Sequence, residues 1–249
     1  MNLSLGGDSA LYLSIPAFFK AAYEENIRFE EIHCTGFSCI PAFYITYFNS
    51  VDRAYLISRN IFDELKNIFN FYEGVNLLGI VRQFRMLYKA SRSMHGVKNQ
   101  KLLKDFITKN FPDITTEKVP ALKIHVFNLE TATEEIVTGR FHEALMKTLS
   151  FPLDYSPYEN CITGSWAYGV PNGDLIVLLE KNTEIAPKNA LDYMTAATIA
   201  RTKKIIELRS KKAKHVLKAT FTSIDPIIVA PKLYKETKKF FQEHFKNKE

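Results

Sequence analysis

Ser38 is the residue whose type and setting point most directly to chemistry. It stands in Gly36-Phe37-Ser38-Cys39-Ile40, after the apolar Ile32-His33-Cys34-Thr35 and before the apolar stretch Pro41 to Asn49. A serine raised on a sharp turn between a strand and a helix is placed to attack an acyl carbon. That attack needs a base to take the hydroxyl proton and N–H donors to hold the oxyanion. A serine at such a junction has a second use, as the cap of the helix that follows. Other chemically capable residues read more simply. Cys39 is either a thiol activated by the helix N-terminus or a small buried hydrophobe. His33 and His125 fall on strand-like segments and read as packed or hydrogen-bonded core histidines. Asp174, in Pro171-Asn172-Gly173-Asp174, reads as part of a surface turn.

The elements that must position Ser38 follow from hydrophobic period and turn residues. Leu3 to Leu5 reads as a strand broken by Gly6-Gly7, and Ala10 to Asn26 as a helix, with Leu11, Ile15, Phe18, Phe19 and Ala22 at helical spacing. Asp8 or Ser9 is placed to cap it, and Pro16 to delay its regular part. Phe29 to Thr35 reads as a second strand, parallel to the first because a helix joins them. Residues from about 50 to 110 read as a helical insertion, rich in aromatics up to about residue 88 and closed by a helix from Asn99 to Asn110. Ala121 to Asn128 and Glu134 to Thr138 read as a hairpin, and Phe141 to Leu149 as a helix. Leu175 to Leu179 has the continuous apolar run of a strand covered on both faces. Two or three charged helices close the chain, with Phe221 to Val229 as the expected last strand between them. The reading is α/β: one domain over 1–249, with a mainly parallel sheet between helices.

Composition narrows the class. A chain of 249 residues can build a core without staples. Three cysteines, Cys34, Cys39 and Cys161, lack metal-ligand spacing, and no metal or cofactor is expected. An odd count with no secretion signal fits a reducing compartment, which makes cytoplasmic the expectation. No apolar run approaches the roughly 18 residues of a membrane span. The net charge of +6 is concentrated in the last quarter, from Arg201 to Lys239. Solvated helix faces account for that, with peripheral contact to anionic lipid as the other use. No aromatic-interleaved or helix-turn-helix pattern accompanies it, so no nucleic acid is expected.

The chain resembles the patatin-like phospholipase family along nearly its whole length. Ile32 to Phe43 is similar to that family's elbow strand, with Ser38 at the nucleophile position. Ala144-Leu145-Met146-Lys147-Thr148-Leu149-Ser150-Phe151-Pro152 is similar to its helix ending in Ala-Ser-x-x-Ile-Pro, and Lys123 to Gly139 to the strand leading to its Thr-Gly. Thr163-Gly164-Ser165-Trp166-Ala167-Tyr168-Gly169-Val170-Pro171 matches the family's Asp-Gly-Gly-x-x-x-Asn-x-Pro in length and register. The resemblance implies a three-layer α/β sandwich and hydrolysis of lipid acyl esters. It makes Gly6, Gly7 and Asp8 the oxyanion loop and places Thr163 where the family has the aspartate base.

The departures fall on the reactive positions. Thr163 cannot act as a base near neutral pH, a function worth about 10²–10⁴ in rate. The loop keeps few of the family's glycines, where one lost donor costs about 10²–10³. Ile40 replaces the small residue that lets strand and helix approach. The expectation is a lipid acyl hydrolase by descent, weak or inactive, or else a pseudo-hydrolase that binds lipid or a protein partner. Asp8 is a substitute base only if the glycine loop lies against the elbow. Trp166 and Tyr168 line the mouth of the site or fill the core, and Phe69, Phe71, Leu78 and Ile80 are placed to accept an acyl chain.

Overall fold

A computed structural model describes residues 1–69, 98–152, 154–182 and 190–246. A twisted sheet runs through it in the order β4-β3-β2-β1-β6-β7, with β5 pairing β3 off that path. These strands are β1 (Leu3–Leu5), β2 (Ile32–Cys34), β3 (Leu122–Asn128), β4 (Thr133–Ile136), β5 (Cys161–Thr163), β6 (Leu175–Lys181) and β7 (His215–Phe221). Pairs β1–β2, β1–β6, β2–β3 and β6–β7 are parallel; β4 and β5 lie antiparallel to β3. The α/β architecture with a mainly parallel sheet flanked by helices is therefore what the chain forms. Its central strands are short and buried on both faces, as Leu3, Leu5, Leu175, Ile176 and Val177 show at 0% exposure.

The helices are α1 (Ile15–Glu24), α2 (Cys39–Phe48), α3 (Val51–Ile68), α4 (Gln100–Asn110), α5 (Phe141–Thr148), α6 (Gly164–Ala167), α7 (Ala190–Ser210) and α8 (Pro226–Phe241). A 3₁₀ turn, Ala10–Ser14, precedes α1, so the expected single helix from Ala10 is two pieces. Ser9 caps the first, accepting the Leu11 N–H at 3.3 Å, and Pro16 sits in the first turn of the second, where no N–H is needed. Helix α2 is buried along most of its length, whereas α3 is amphipathic and opens on Ser50, whose hydroxyl accepts from Arg53 N–H. Asn99 caps α4 in the same way. Helices α3 and α4 are the ends of the expected insertion; Phe71, Leu78 and Ile80 lie outside the described residues.

The last strand is not where periodicity alone puts it. The expected Phe221 to Val229 is replaced by His215–Phe221, in which Leu217, Ala219 and Phe221 alternate inward against β6. Phe221 is its last residue. Asp225 then caps α8 through Ile227 N–H at 2.8 Å, and Pro226 begins it. Among the described residues no helix is long and apolar enough to cross a membrane.

Candidate functional site

The motif segments meet at the carboxyl ends of the parallel strands, where α/β sheets place their sites. Gly7, after β1, packs on the turn after β2. A β-carbon on Gly7 would lie 1.6 Å from the Thr35 carbonyl oxygen, and one on Gly36 would lie 2.3 Å from the Gly7 oxygen. The glycine loop thus lies against the turn after β2. The first residue of α6, Gly164, abuts Thr35 on the other side.

The reactive side chains do not meet. Ser38 is fully buried and has helical angles, φ −65° and ψ −24°. Its hydroxyl donates to the Thr35 carbonyl at 3.0 Å, lies 3.5 Å from that of Leu5, and accepts from Thr35 N–H at 3.4 Å. These are the bonds of a capping residue, three positions after Thr35. Thr163 is also fully buried, its hydroxyl paired with that of Ser165 at 2.8 Å and its N–H donated to Ser150. Ser38 and Thr163 make no hydrogen bond to one another.

The strained residue of the turn is Gly36, at φ +61°. An elbow holds its nucleophile at that sharp position and takes the next N–H as an oxyanion donor. Here those two places belong to Gly36, which has no side chain, and Phe37, whose N–H donates to the Gly7 carbonyl at 3.0 Å. Ser38 itself does not hold the positive-φ position of the turn. Strand β2 ends at Cys34, the turn begins at once, and Ser38 already belongs to the helical entry to α2. The loop presents an oxygen to the Phe37 N–H, where hydrolysis would need that donor left open. Ile40 is fully buried within α2.

Cys34 and Cys39 span the same turn as a disulfide, their Cα atoms 5.2 Å apart. This corrects the reading of Cys39 as an unpaired thiol: the tight turn brings the strand end and the helix start together. Cys161 is free and buried.

A cleft of about 370 Å³ opens beside the turn, lined by Phe37, Phe69, Phe151, Trp166, Leu178 and Ile206, with Asp8, Asp154, Glu180 and Lys203 as its charged groups. Phe37 stacks on Phe151 at 4.6 Å and meets Phe69 edge-on at 4.8 Å. Asp8 is exposed as a residue, while protein atoms around the cleft crowd its carboxyl group. Its carboxyl is pushed up to about 6, chiefly by loss of solvent; its own backbone N–H pulls it down, Glu180 raises it and Lys203 lowers it. Trp166 also borders a larger groove of about 870 Å³ with Phe127, Ile162 and Arg201, while Tyr168 is buried at its base. Neither Ser38 nor Thr163 lines either space.

The remaining candidates lie elsewhere. Asp174 accepts Asn2 N–H at 2.9 Å and pairs with Lys214 at 2.9 Å, at the opposite end of the parallel strands. His33 and His125 are hydrogen-bonded to each other across β2 and β3. Glu180 and Asp154 were not among the residues the sequence singled out. The continuous apolar run of β6 does predict that the charged residue ending it emerges at the sheet's carboxyl edge. Among the described residues no group of three His, Cys, Asp or Glu is placed to hold a metal ion.

No protein-family model and no curated protein matches the chain. Among solved structures it is similar to the crystal structure of VipD from Legionella pneumophila, with a TM-score of 0.47 and 12% identity over 98% of this chain. It spans 66% of that protein's chain.

Proposed function

We propose that this protein is a non-catalytic descendant of patatin-like lipid acyl hydrolases that keeps the cleft as a binding site for an apolar, lipid-type ligand. One observation carries the reading: Gly36 occupies the strained position of the turn while the following N–H is spent on the Gly7 carbonyl. A hydrolase of this kind needs a nucleophile there and a free donor beside it. Thr163 adds a third loss, since its hydroxyl is buried against Ser165. The cleft's size falls within the roughly 300–1,000 Å³ of small-molecule sites, and its aromatic and aliphatic walls suit an acyl chain or a compact apolar body. The basic carboxyl-terminal quarter is the second element of the proposal, as a contact to anionic lipid surfaces. Many of its charges have local partners, such as Lys218 with Glu180 and Lys238 with Glu24, so that contact is weak and salt-sensitive.

Two measurements on the full chain test this. A fluorophosphonate probe is expected to leave the folded protein unlabelled; labelling at Ser38 that Ser38→Ala abolishes would restore the enzyme reading. Mass spectrometry of solvent extracts from native protein is expected to find a bound fatty acid or lipid. Binding is checked by displacement of a fluorescent acyl probe, and no displacement, together with no extracted lipid, would overturn the ligand-binding role.

A further inference from the structure

Away from the cleft, two acidic and two imidazole side chains form a line across the sheet. Glu31 Oε2 lies 3.1 Å from His33 Nε2, His33 Nδ1 lies 2.8 Å from His125 Nε2, and His125 Nδ1 lies 2.8 Å from Glu134 Oε1. Lys123 stands 3.5 Å from Glu31 at one end, and Arg209 of α7 stands 2.8 Å from Glu134 at the other.

Counting protons fixes the state of this line. A carboxylate only accepts, so His33 Nε2 and His125 Nδ1 must each carry a proton. If both rings are neutral, those are their only protons, and two lone pairs face each other across 2.8 Å. If both rings are cationic, two N–H groups collide across the same gap. The contact forms with one added proton on the pair, held between the two carboxylates.

We infer that His33 and His125 share a single proton as a pH-sensitive latch, which holds α7 against the sheet and opens when acid supplies a second proton. The helix meets that line through Arg209. Arg209 bonds Glu134, donates to the Val170 carbonyl at 2.7 Å and lies 4.4 Å over the Tyr168 ring. The same helix lines the cleft through Thr202 and Lys203, and Thr202 Oγ1 donates to the Trp166 carbonyl at 3.2 Å. The ionisable groups facing the pair are Glu31, Lys123, Glu134, Arg209 and Tyr168, and burial holds the Tyr168 hydroxyl well above its usual range. Burial first, then His125, press His33 below the ordinary imidazole value against the pull of Glu31. The one-proton contact exists only between the pair's two protonation steps, so the latch is intact in that window and is lost as pH falls through the lower step. The inference does not depend on what the cleft binds.

The test follows the imidazole ¹⁵N resonances of the full chain from pH 9 to 4 alongside the emission of Trp166, its one tryptophan. The pair is expected to titrate in two macroscopic steps more than about one unit apart, with the Trp166 emission shifting through the lower one. His33→Asn is expected to leave His125 with a single step and the emission flat through that range. Glu31→Gln, at the solvent end of the line, keeps the core intact should His33→Asn fail to fold, and is expected to move the upper step down. Independent single steps near 6.5 for both histidines, or an emission that is flat in the unaltered protein, would overturn the latch.

Discussion

At the residue scale the turn is decided by Gly36 and Ser38. Gly36 combines φ +61° with contact against the Gly7 carbonyl, so Gly36→Ser cannot be accommodated without moving the loop. That variant is expected to lose about 1–3 kcal/mol of stability and gain no esterase activity, as read by urea unfolding and a short-chain ester assay. Ser38→Ala removes a cap whose bonds all run to backbone, and a loss of about 1 kcal/mol is expected in the same unfolding experiment. Asp8 gives a pH prediction. Burial pushes its folded carboxyl up to about 6, above the ordinary 3.8, so the folded state holds the proton more tightly. Stability conferred by that proton is complete below the unfolded value and falls as pH rises toward 6. A carboxyl ¹³C titration should show the midpoint, and Asp8→Asn should flatten this part of the stability profile.

At the scale of elements, the Cys34–Cys39 disulfide ties the end of β2 to the start of α2 across the turn. The loop it closes is short, so the unfolded-state entropy it removes corresponds to about 2 kcal/mol. Cys34→Ser with Cys39→Ser should cost that much in chemical unfolding, and thiol counting under denaturing, non-reducing conditions should find one reactive group, Cys161. The elements themselves were largely legible. The β3–β4 hairpin, α4, α5 and β6 fall within a few residues of their sequence patterns, because hydrophobic period and flanking turn residues mark them and Asn99 caps α4. Strand β7 was displaced because Phe221 to Val229 is as apolar as a strand. Asp225-Pro226 turns its second half into the start of a helix, while pairing with β6 recruits the more polar His215 to Thr220.

For the whole molecule, short buried strands place the glycine loop, the turn and the start of α6 at one edge of the sheet, with a cleft beside them. The site is built by contacts between segments far apart in the chain, and those contacts govern what substitution can do. Thr163→Asp would put a carboxylate at a fully buried position whose neighbour is the Ser165 hydroxyl. It is expected to destabilise the fold by several kcal/mol without raising esterase activity, checked by thermal unfolding beside the ester assay. A rise in activity would show that the turn can still open.

The sequence by itself determined the α/β class, the order of most elements and the segments that assemble at the site, because period, caps and glycines act over a few residues. Only the tertiary structure decided which residue of the turn is strained, where the Phe37 N–H is spent, that Cys34 meets Cys39, and that His33 meets His125. Those outcomes depend on where β2 stops and on how closely the Gly7 loop approaches it. Strand pairing and packing set both distances, and residue types along the chain do not encode them one at a time.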